Sequence, residues 1–460
     1  MTDIIFDPEL IKRYDKSGPR YTSYPTAVQF SDQYTEADYR RHAELSNQSV
    51  QDLSLYFHLP FCDTICYYCA CNKVITKDRS KAEPYLANLH KEIEMQGKLF
   101  DSSRKVNQLH WGGGTPTFIS HDQMRELMNV TRKHFNLHDD DQGEYSIEID
   151  PREVTKESIH LLRDIGFNRM SLGVQDFNPA VQKAVNRIQS EEQTLGALNA
   201  ARESGFKSIS VDLIYGLPLQ TVNSFSTTLE KIIDIDPDRI SIFNYAHLPE
   251  LFKPQRRINE ADMPESAVKL EILKMSIERL TQAGYVYIGM DHFAKPDDEL
   301  TVAQKNGKLY RNFQGYATHA DCDLIGLGIT SIGTVGQSFA QNLKTLDEYA
   351  ERIEAGKLAI FRGVEIDADD IIRRNAIMQL ICHFNLKIDS FNTKNNINFN
   401  QYFAAELKRL QPMHEDGLIH LSESEIIVTA KGRLLIRNIC MIFDRYITET
   451  MEKQRYSKAI

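Results

Sequence analysis

The stretch Tyr56–Lys73, YFHLPFCDTICYYCACNK, gathers four of the chain's seven cysteines, Cys62, Cys66, Cys69 and Cys71, within ten residues. Just before them runs LSLYFHL (53–59), an apolar and aromatic segment with strand character. The fold and the chemistry are both read from this strand that delivers clustered thiols onto the loop beyond it. Cys322, Cys382 and Cys440 stand alone and read as small packed hydrophobes. MTDIIFDPEL has no basic n-region, so no leader is expected, and an odd cysteine count then argues against a disulfide framework.

Two metal readings of the cluster stand side by side. Structural zinc takes four ligands, usually from two knuckles, and no second Cys or Cys/His pair of suitable spacing follows. Alternatively, three thiolates on one loop hold three irons of a four-iron cluster and leave the fourth iron free for a ligand. A free iron points to catalysis rather than simple electron transfer.

Outward from that loop the chain keeps a rhythm. Strand-like segments recur at 53–59, 106–111, 145–150, 169–175, 208–215 and 239–246, separated by segments of helical spacing such as HDQMRELMNVTRKHF and EEQTLGALNAARESG. Repeated right-handed βα units give a parallel sheet, either doubly wound or curled toward a barrel. Cys62, Gly112, Glu148, Gln175, Asp212 and Ala246 fall at or just past successive strand ends, the active rim of a βα barrel. We therefore expect an α/β fold with a partial six-strand βα barrel over 51–345. An N-terminal arm (1–50) holds the turn-rich KSGPRYTSYPT, and a mainly helical, winged-helix-like module (346–460) carries a small hairpin at IHL and EIIVT.

Composition narrows the function. At 42% hydrophobic and 26% charged the chain is globular, and its net charge of −10 argues against a general nucleic-acid surface, including on the C-terminal module. No apolar run reaches membrane-spanning length, so a cytoplasmic protein with no membrane partner is expected.

Other motifs fit a ligand-filled rim. In LHWGGGTPT three glycines follow a strand, either as a tight turn or to let backbone approach a ligand. It lacks the GK[ST] of a Walker loop and the spacing of a dinucleotide fingerprint. Glu148 is suited to accept hydrogen bonds from hydroxyls or an ammonium group, while Gln175, Arg187 and Asp212 either serve the rim or merely cap and pair. His58 and His292 read as satisfied core or loop histidines rather than ligands.

The segment YFHLPFCDTICYYCACNK resembles the radical S-adenosylmethionine (SAM) superfamily, whose hallmark CxxxCxxC follows the first barrel strand. The resemblance implies that Cys62, Cys66 and Cys69 hold a 4Fe–4S cluster whose free iron chelates SAM, and that a glycine-rich element meets SAM's amino group. Across the chain, SGPRYTSYPTA, LHWGGGTPT, SIEIDPRE, SLGVQDFN, DLIYGLP, FNYAHLP, MDHFAKPDDEL, RNFQGY and VTAKGRLLIRNICMIFD resemble the oxygen-independent coproporphyrinogen III oxidase family. That likeness implies oxidative decarboxylation of two propionates of coproporphyrinogen III to vinyl groups, giving protoporphyrinogen IX in heme biosynthesis without dioxygen. An unactivated C–H offers a general base nothing to work on, so a carbon radical is the apt reagent.

Carried over by position, the family pattern implies SAM contacts at Tyr56, Gly112, Glu148 and Ile332. A second SAM is implied at Tyr68, Gly113, Gly114, Gln175, Arg187, Asp212 and Ala246. Tyr56 and Cys71 are taken as catalytic, Cys71 serving turnover or the second SAM rather than the cluster, with a packed thiol as its plain reading. Phe313 and Gln314 resemble the substrate-side loop, and Arg20 and Arg311 are candidates for the substrate carboxylates. Ala70 departs from the glycine common in the family. A cellular reductant and a monomeric state are expected. The rival reading is a heme-binding, chaperone-like paralogue without decarboxylase activity, which generally lacks the CxC cysteine and the long arm present here.

Overall fold

The computed structural model describes residues 4–14, 16–49, 51–319 and 322–447. These form two compact units defined by packing rather than by chain order. One comprises 29–272 and 322–365, and the other comprises 4–28, 273–319 and 366–447.

The first unit is built on one sheet. Six parallel strands, β1 (Leu53–Leu59), β2 (Lys105–Gly113), β3 (Glu144–Ile149), β4 (Arg169–Gln175), β5 (Ser208–Tyr215) and β6 (Arg239–Asn244), lie side by side in chain order. A doubly wound sheet reverses its strand order at a switch point. This order never reverses, so each right-handed crossover steps the same way, as in the barrel half of the expectation. On the far side of β1, β7 (Asp323–Leu327) adds a seventh parallel strand. Antiparallel β8 (Ile332–Val335), β9 (Ser338–Asn342) and β10 (Ile360–Glu365) then extend the sheet. The glycine-rich 325–333 segment therefore adds to the sheet beside β1. The last barrel strand ends at Asn244, which puts Ala246 in the loop beyond it.

Alternation along each strand decides what faces what. Leu55 and Phe57, Leu109 and Trp111, Ile147 and Ile149, Leu172 and Val174, and Val211 and Leu213 are buried. Their neighbours Tyr56, His110, Ser146, Glu148, Ser171 and Asp212 are only partly covered. With a side-chain period of two, the buried set meets the helices and the second set lines the concave face.

The crossover helices α1 (Ala82–Gly97), α2 (His121–His134), α3 (Lys156–Asp164), α4 (Glu191–Glu203) and α5 (Val222–Ile235) bury apolar stripes at helical spacing, such as Met124, Leu127 and Met128 on α2. Four of them start with side-chain caps. Ser120, Thr155, Ser190 and Thr221 each accept a backbone N–H three residues on and so satisfy a donor the helix leaves unpaired.

In the second unit a three-stranded antiparallel sheet, 385–387 with 425–428 and 419–421, packs with helices Ala368–His383, Ile388–Asn395 and Ala404–Glu415. The hairpin of IHL and EIIVT gains a third short strand there. The same unit holds two more hairpins, Val286–Gly289 with His292–Ala294 and Tyr310–Asn312 with Gly315–Ala317. Among the described residues no helix is long and apolar enough to cross a membrane.

One buried ion pair pins β7 to the barrel. Arg104 Nη2 lies 2.6 Å from Asp323 Oδ2, with both side chains about 5% exposed or less. Ser46 Oγ and the Gly336 N–H also donate to that carboxylate, and Arg104 Nε donates to Gln51 O. Stripping one partner from a buried pair costs about 3–5 kcal/mol, because the survivor is left charged and dry. Arg104→Ala should lower the urea midpoint accordingly, and the paired change Arg104→Met with Asp323→Leu should recover much of the loss. A single variant as stable as the parent would show that the pair does not hold β7.

Candidate active site

The cysteine loop is fixed at three places. At its base, Phe61–Cys62 pairs in parallel with Val74–Ile75, and Val74 N and Thr76 N donate to Pro60 O and Cys62 O. In the middle, Tyr67 N donates to Val185 O (2.9 Å) and Asn186 Nδ2 to Ile65 O (2.7 Å). Near its end, His58 Nε2 lies 2.9 Å from Asn72 O. Burial lowers the His58 pKa, so the ring is neutral. With Nε2–H donating to Asn72, Nδ1 is left to accept from Tyr56 OH at 3.2 Å.

Thiols and their neighbours share this loop. Cys66 is buried, Cys62 and Cys69 are partly covered, and Cys71 is exposed. Burial pushes the Cys62 thiol up to about 11, while Thr115 Oγ1 donates to its sulfur at 3.5 Å. A hydrogen bond from Cys71 and the charge of Lys73 hold Cys69 below an ordinary thiol, and the same contact raises Cys71. Lys73 Nζ caps Cys69 O (3.0 Å) and Cys71 O (3.2 Å).

The concave face beside the loop is polar. Tyr56 stacks on His110 at 5.8 Å between ring centroids, and His110 Nε2 lies 3.3 Å from Glu148 Oε1. Glu148 Oε2 accepts the Gly113 N–H (3.1 Å). Desolvation drives the Glu148 carboxyl upward, but His110 and that N–H outweigh it and leave the pKa lowered. Asp212 Oδ2 accepts from Ser171 Oγ (2.7 Å), and burial raises its pKa to about 6. Gly113 has φ +112°, and a Cβ there would sit 2.7 Å from the His58 ring. At Gly112 a Cβ would sit 2.9 Å from Glu148 Oε1.

Arg187 reaches the same loop from beyond β4. Its Nη1 lies 2.9 Å from Asp150 Oδ2 and 3.6 Å from Cys66 Sγ, and its Nη2 donates to Gly173 O (2.6 Å). Its Nε is buried without a protein partner. Gln175, at the end of β4, has φ +69°. Tyr68 packs with Tyr67 on the cluster of Val181, Val185, Leu217, Tyr245 and Ile258. One buried amide joins it to Ala246: Gln255 Nε2 donates to both Tyr68 O (3.1 Å) and Ala246 O (3.2 Å). Gly114 N donates to Leu59 O, and a Cβ at Gly114 would strike the Pro60–Phe61 backbone. Ile332 starts β8, partly covered, with its backbone against Gly326.

The four remaining candidates lie in the second unit. Arg311 is buried, with Nε donating to Arg20 O (3.2 Å), its guanidinium 4.8 Å above the Tyr316 ring and Nη1 unpartnered. Arg20 pairs with Asp291 at 2.6 Å. Phe313 and Gln314 form the turn of the 310–317 hairpin, and Gln314 Nε2 is buried without a partner.

Sequence reading passed over Asp150, Arg152 and Gln255 and gave His58 no positional role. The signals were slight. Asp150 opens DPRE as the cap of a short turn, accepting from Arg152 N at 3.1 Å, and only the fold turns that turn toward Cys66.

The donor set suits an iron–sulfur cluster. Four soft sulfur donors sit on one tethered loop, with N–H and O–H donors aimed at two of the sulfurs, Cys62 and Cys66. Among the described residues no three His, Cys, Asp or Glu side chains gather as they would around a single metal ion. For SAM, which carries an ammonium, a carboxylate and ribose hydroxyls, the face offers an ionised acceptor at Glu148 and an unsatisfied donor at Arg187 Nε.

Comparison with known proteins agrees. A model of the radical SAM superfamily matches residues 56–232, and one of the HemN C-terminal domain matches 366–435. The chain is 53% identical to the oxygen-independent coproporphyrinogen III oxidase of Pseudomonas aeruginosa, covering 100% of both chains. It is 49% identical to the protein of that name from Escherichia coli K12, covering 99% of each. A solved structure of the Escherichia coli coproporphyrinogen III oxidase, described as a radical SAM enzyme, superposes with a TM-score of 0.92 at 48% identity, over 97% of this chain and 100% of that one.

The loop geometry separates the four thiols by experiment. Cys66→Ser should lose most of the iron bound after anaerobic reconstitution, whereas Cys71→Ser, altering an exposed thiol, should keep it and lose turnover. Iron counting and the visible absorption band check this, and equal iron loss in both variants would refute the division.

Proposed function

We propose, for a chain that belongs to the oxygen-independent coproporphyrinogen III oxidase family, that it converts two propionate side chains of coproporphyrinogen III to vinyl groups, each giving up one hydrogen atom to the radical, CO2, and one electron to a one-electron acceptor, and so yields protoporphyrinogen IX. The observation that carries this is a triply tethered thiol loop beside a polar, partly open concave face, within a chain similar to that family over its full length.

When bound, the 4Fe–4S cluster and SAM supply one-electron cleavage of the sulfonium and a carbon radical able to take a hydrogen atom from the propionate side chain. The protein's own part is positional and electrostatic. Cys62, Cys66 and Cys69 hold the cluster, and Cys71 stays free for turnover. Tyr56, Gly112, Glu148 and Ile332 take the first SAM. The Glu148 carboxylate is ionised and has lone pairs to spare for an ammonium or hydroxyl, and Gly112 offers no side chain to obstruct it. Tyr56 keeps its ring in place by stacking on His110 and its hydroxyl by donating to neutral His58.

A second SAM is taken by Tyr68, Gly113, Gly114, Gln175, Arg187, Asp212 and Ala246. Support comes from the unsatisfied Arg187 Nε, the Asp212 carboxyl on the concave face and the Gln255 amide that ties Tyr68 to Ala246. Arg20, Arg311, Phe313 and Gln314 meet the tetrapyrrole, whose carboxylates suit the unpartnered Arg311 Nη1 and Gln314 Nε2. The protein works as a cytoplasmic monomer supplied by a cellular one-electron donor.

Anaerobic reconstitution with iron and sulfide, followed by coproporphyrinogen III, SAM and dithionite, tests the reading. Protoporphyrinogen IX should form with two methionines released per tetrapyrrole. Reductive SAM cleavage with no vinyl product would overturn the assigned substrate, and one methionine per tetrapyrrole would overturn the stoichiometry.

A further inference from the structure

Beside Cys66 lies a charge cluster of Arg152, Asp150 and Arg187, of which the reading above uses only the Nε of Arg187. Arg152 Nη2 and Arg187 Nη1 each stand 3.6 Å from Cys66 Sγ, within reach of an N–H···S hydrogen bond. Both guanidiniums pair with one carboxylate oxygen, Asp150 Oδ2, at 2.7 and 2.9 Å. All three side chains are largely buried, between 8% and 14% exposed. Two cations and one anion leave a net positive charge against a single sulfur, in surroundings where water screens little.

The arrangement is built rather than incidental. Arg152 is locked in three ways: its backbone N–H donates to the capping Asp150 Oδ1 (3.1 Å), its Nε donates to Asp150 Oδ1 (3.0 Å), and its Nη2 donates to Oδ2 (2.7 Å). Arg187 is held by Gly173 O (2.6 Å). The neighbouring cation Arg79 is engaged elsewhere, with Asp63 Oδ2 (2.5 Å) and Phe118 O (2.6 Å). Hydrogen bonds to cluster sulfurs and nearby positive charge both stabilise the more negative, reduced form, and so set how readily a cluster accepts an electron.

We propose that Arg152 is a positioning residue for electron uptake: with Arg187 and Asp150 it forms an Arg–Asp–Arg clamp on Cys66 that makes the cluster easier to reduce. The proposal rests on Cys66 being a cluster ligand. The step it governs is the transfer of one electron from a one-electron donor to the oxidised cluster, with no proton moved and no bond broken. Asp150 acts in opposition, cancelling part of the positive charge, so the two residues must shift the potential in opposite directions. A merely structural role predicts no such opposition.

The test is an EPR-monitored dithionite titration of reconstituted holoenzyme without SAM or tetrapyrrole, with iron counted in every sample. At the potential where half of the parent cluster is reduced, Arg152→Met should lower the reduced-to-oxidised ratio about tenfold, a shift of about 60 mV for one electron. Asp150→Asn, which can still cap the turn, should raise the ratio several-fold. If Arg152→Met fails to hold four irons, Arg152→Lys takes its place and should show a smaller shift of the same sign. Potentials that stay put, or move together in both variants, overturn the clamp. Failure to convert coproporphyrinogen III while these shifts appear would instead count against the assigned reaction and leave the clamp standing.

Discussion

Everything in the first unit answers to one constraint: a short loop must present several thiols without collapsing on itself. Fixing each loop residue costs about 1–2 kcal/mol of backbone entropy, and like-charged thiolates repel. The chain meets this with ties from three directions. The Phe61–Cys62 ladder with Val74–Ile75 closes the base, the 185–186 turn holds the middle, and His58 grips Asn72. Since β1 leads straight into the loop, its position is inherited from the centre of the sheet. The buried Arg104–Asp323 pair fixes β7 on one side of β1, and β2 holds the other.

That centre explains why the concave face can afford to be polar. Barrel interiors are ordinarily filled with branched apolar side chains. Here Tyr56, His110, Glu148, Ser171 and Asp212 occupy those positions, and they satisfy one another through His110–Glu148, Gly113–Glu148 and Ser171–Asp212. The apolar burial that stabilises the unit lies on the opposite face of the same strands, against capped amphipathic helices. Separating the two faces lets the inner one bind without emptying the core.

The strands and the thiol loop were legible because their signals are local: apolar and aromatic runs of strand character, segments of helical spacing between them, and four cysteines within ten residues. Other features were not legible, because their meaning depends on contacts distant in sequence. Arg152 in DPRE looks like any surface arginine, and Asp150 meets Arg187 37 positions away. Gln255 sits in a polar, turn-rich run, yet its amide joins Tyr68 to Ala246. His58 was readable as a satisfied histidine. That its two nitrogens tie Tyr56 to Asn72 follows only once β1 and the returning loop lie side by side. The two units, each assembled from separate stretches of chain, are likewise invisible to a reading that moves along the sequence.

These unread contacts share a character. Each is a buried side chain that satisfies several partners at once, so its removal strands more than one group. Glu92 is the plainest case: it accepts from Gly328 N, Asn342 Nδ2 and Tyr349 OH, and thereby steadies the turn between β7 and β8. Burial lifts its carboxyl to about 7, above the unfolded value near 4.5, so whatever stability protonation lends it is present in acid and fades as the pH rises through neutrality. A fold that holds a reactive loop rigid therefore relies less on its apolar core, which any well-patterned βα sheet supplies, than on a few polar side chains each committed to several backbones.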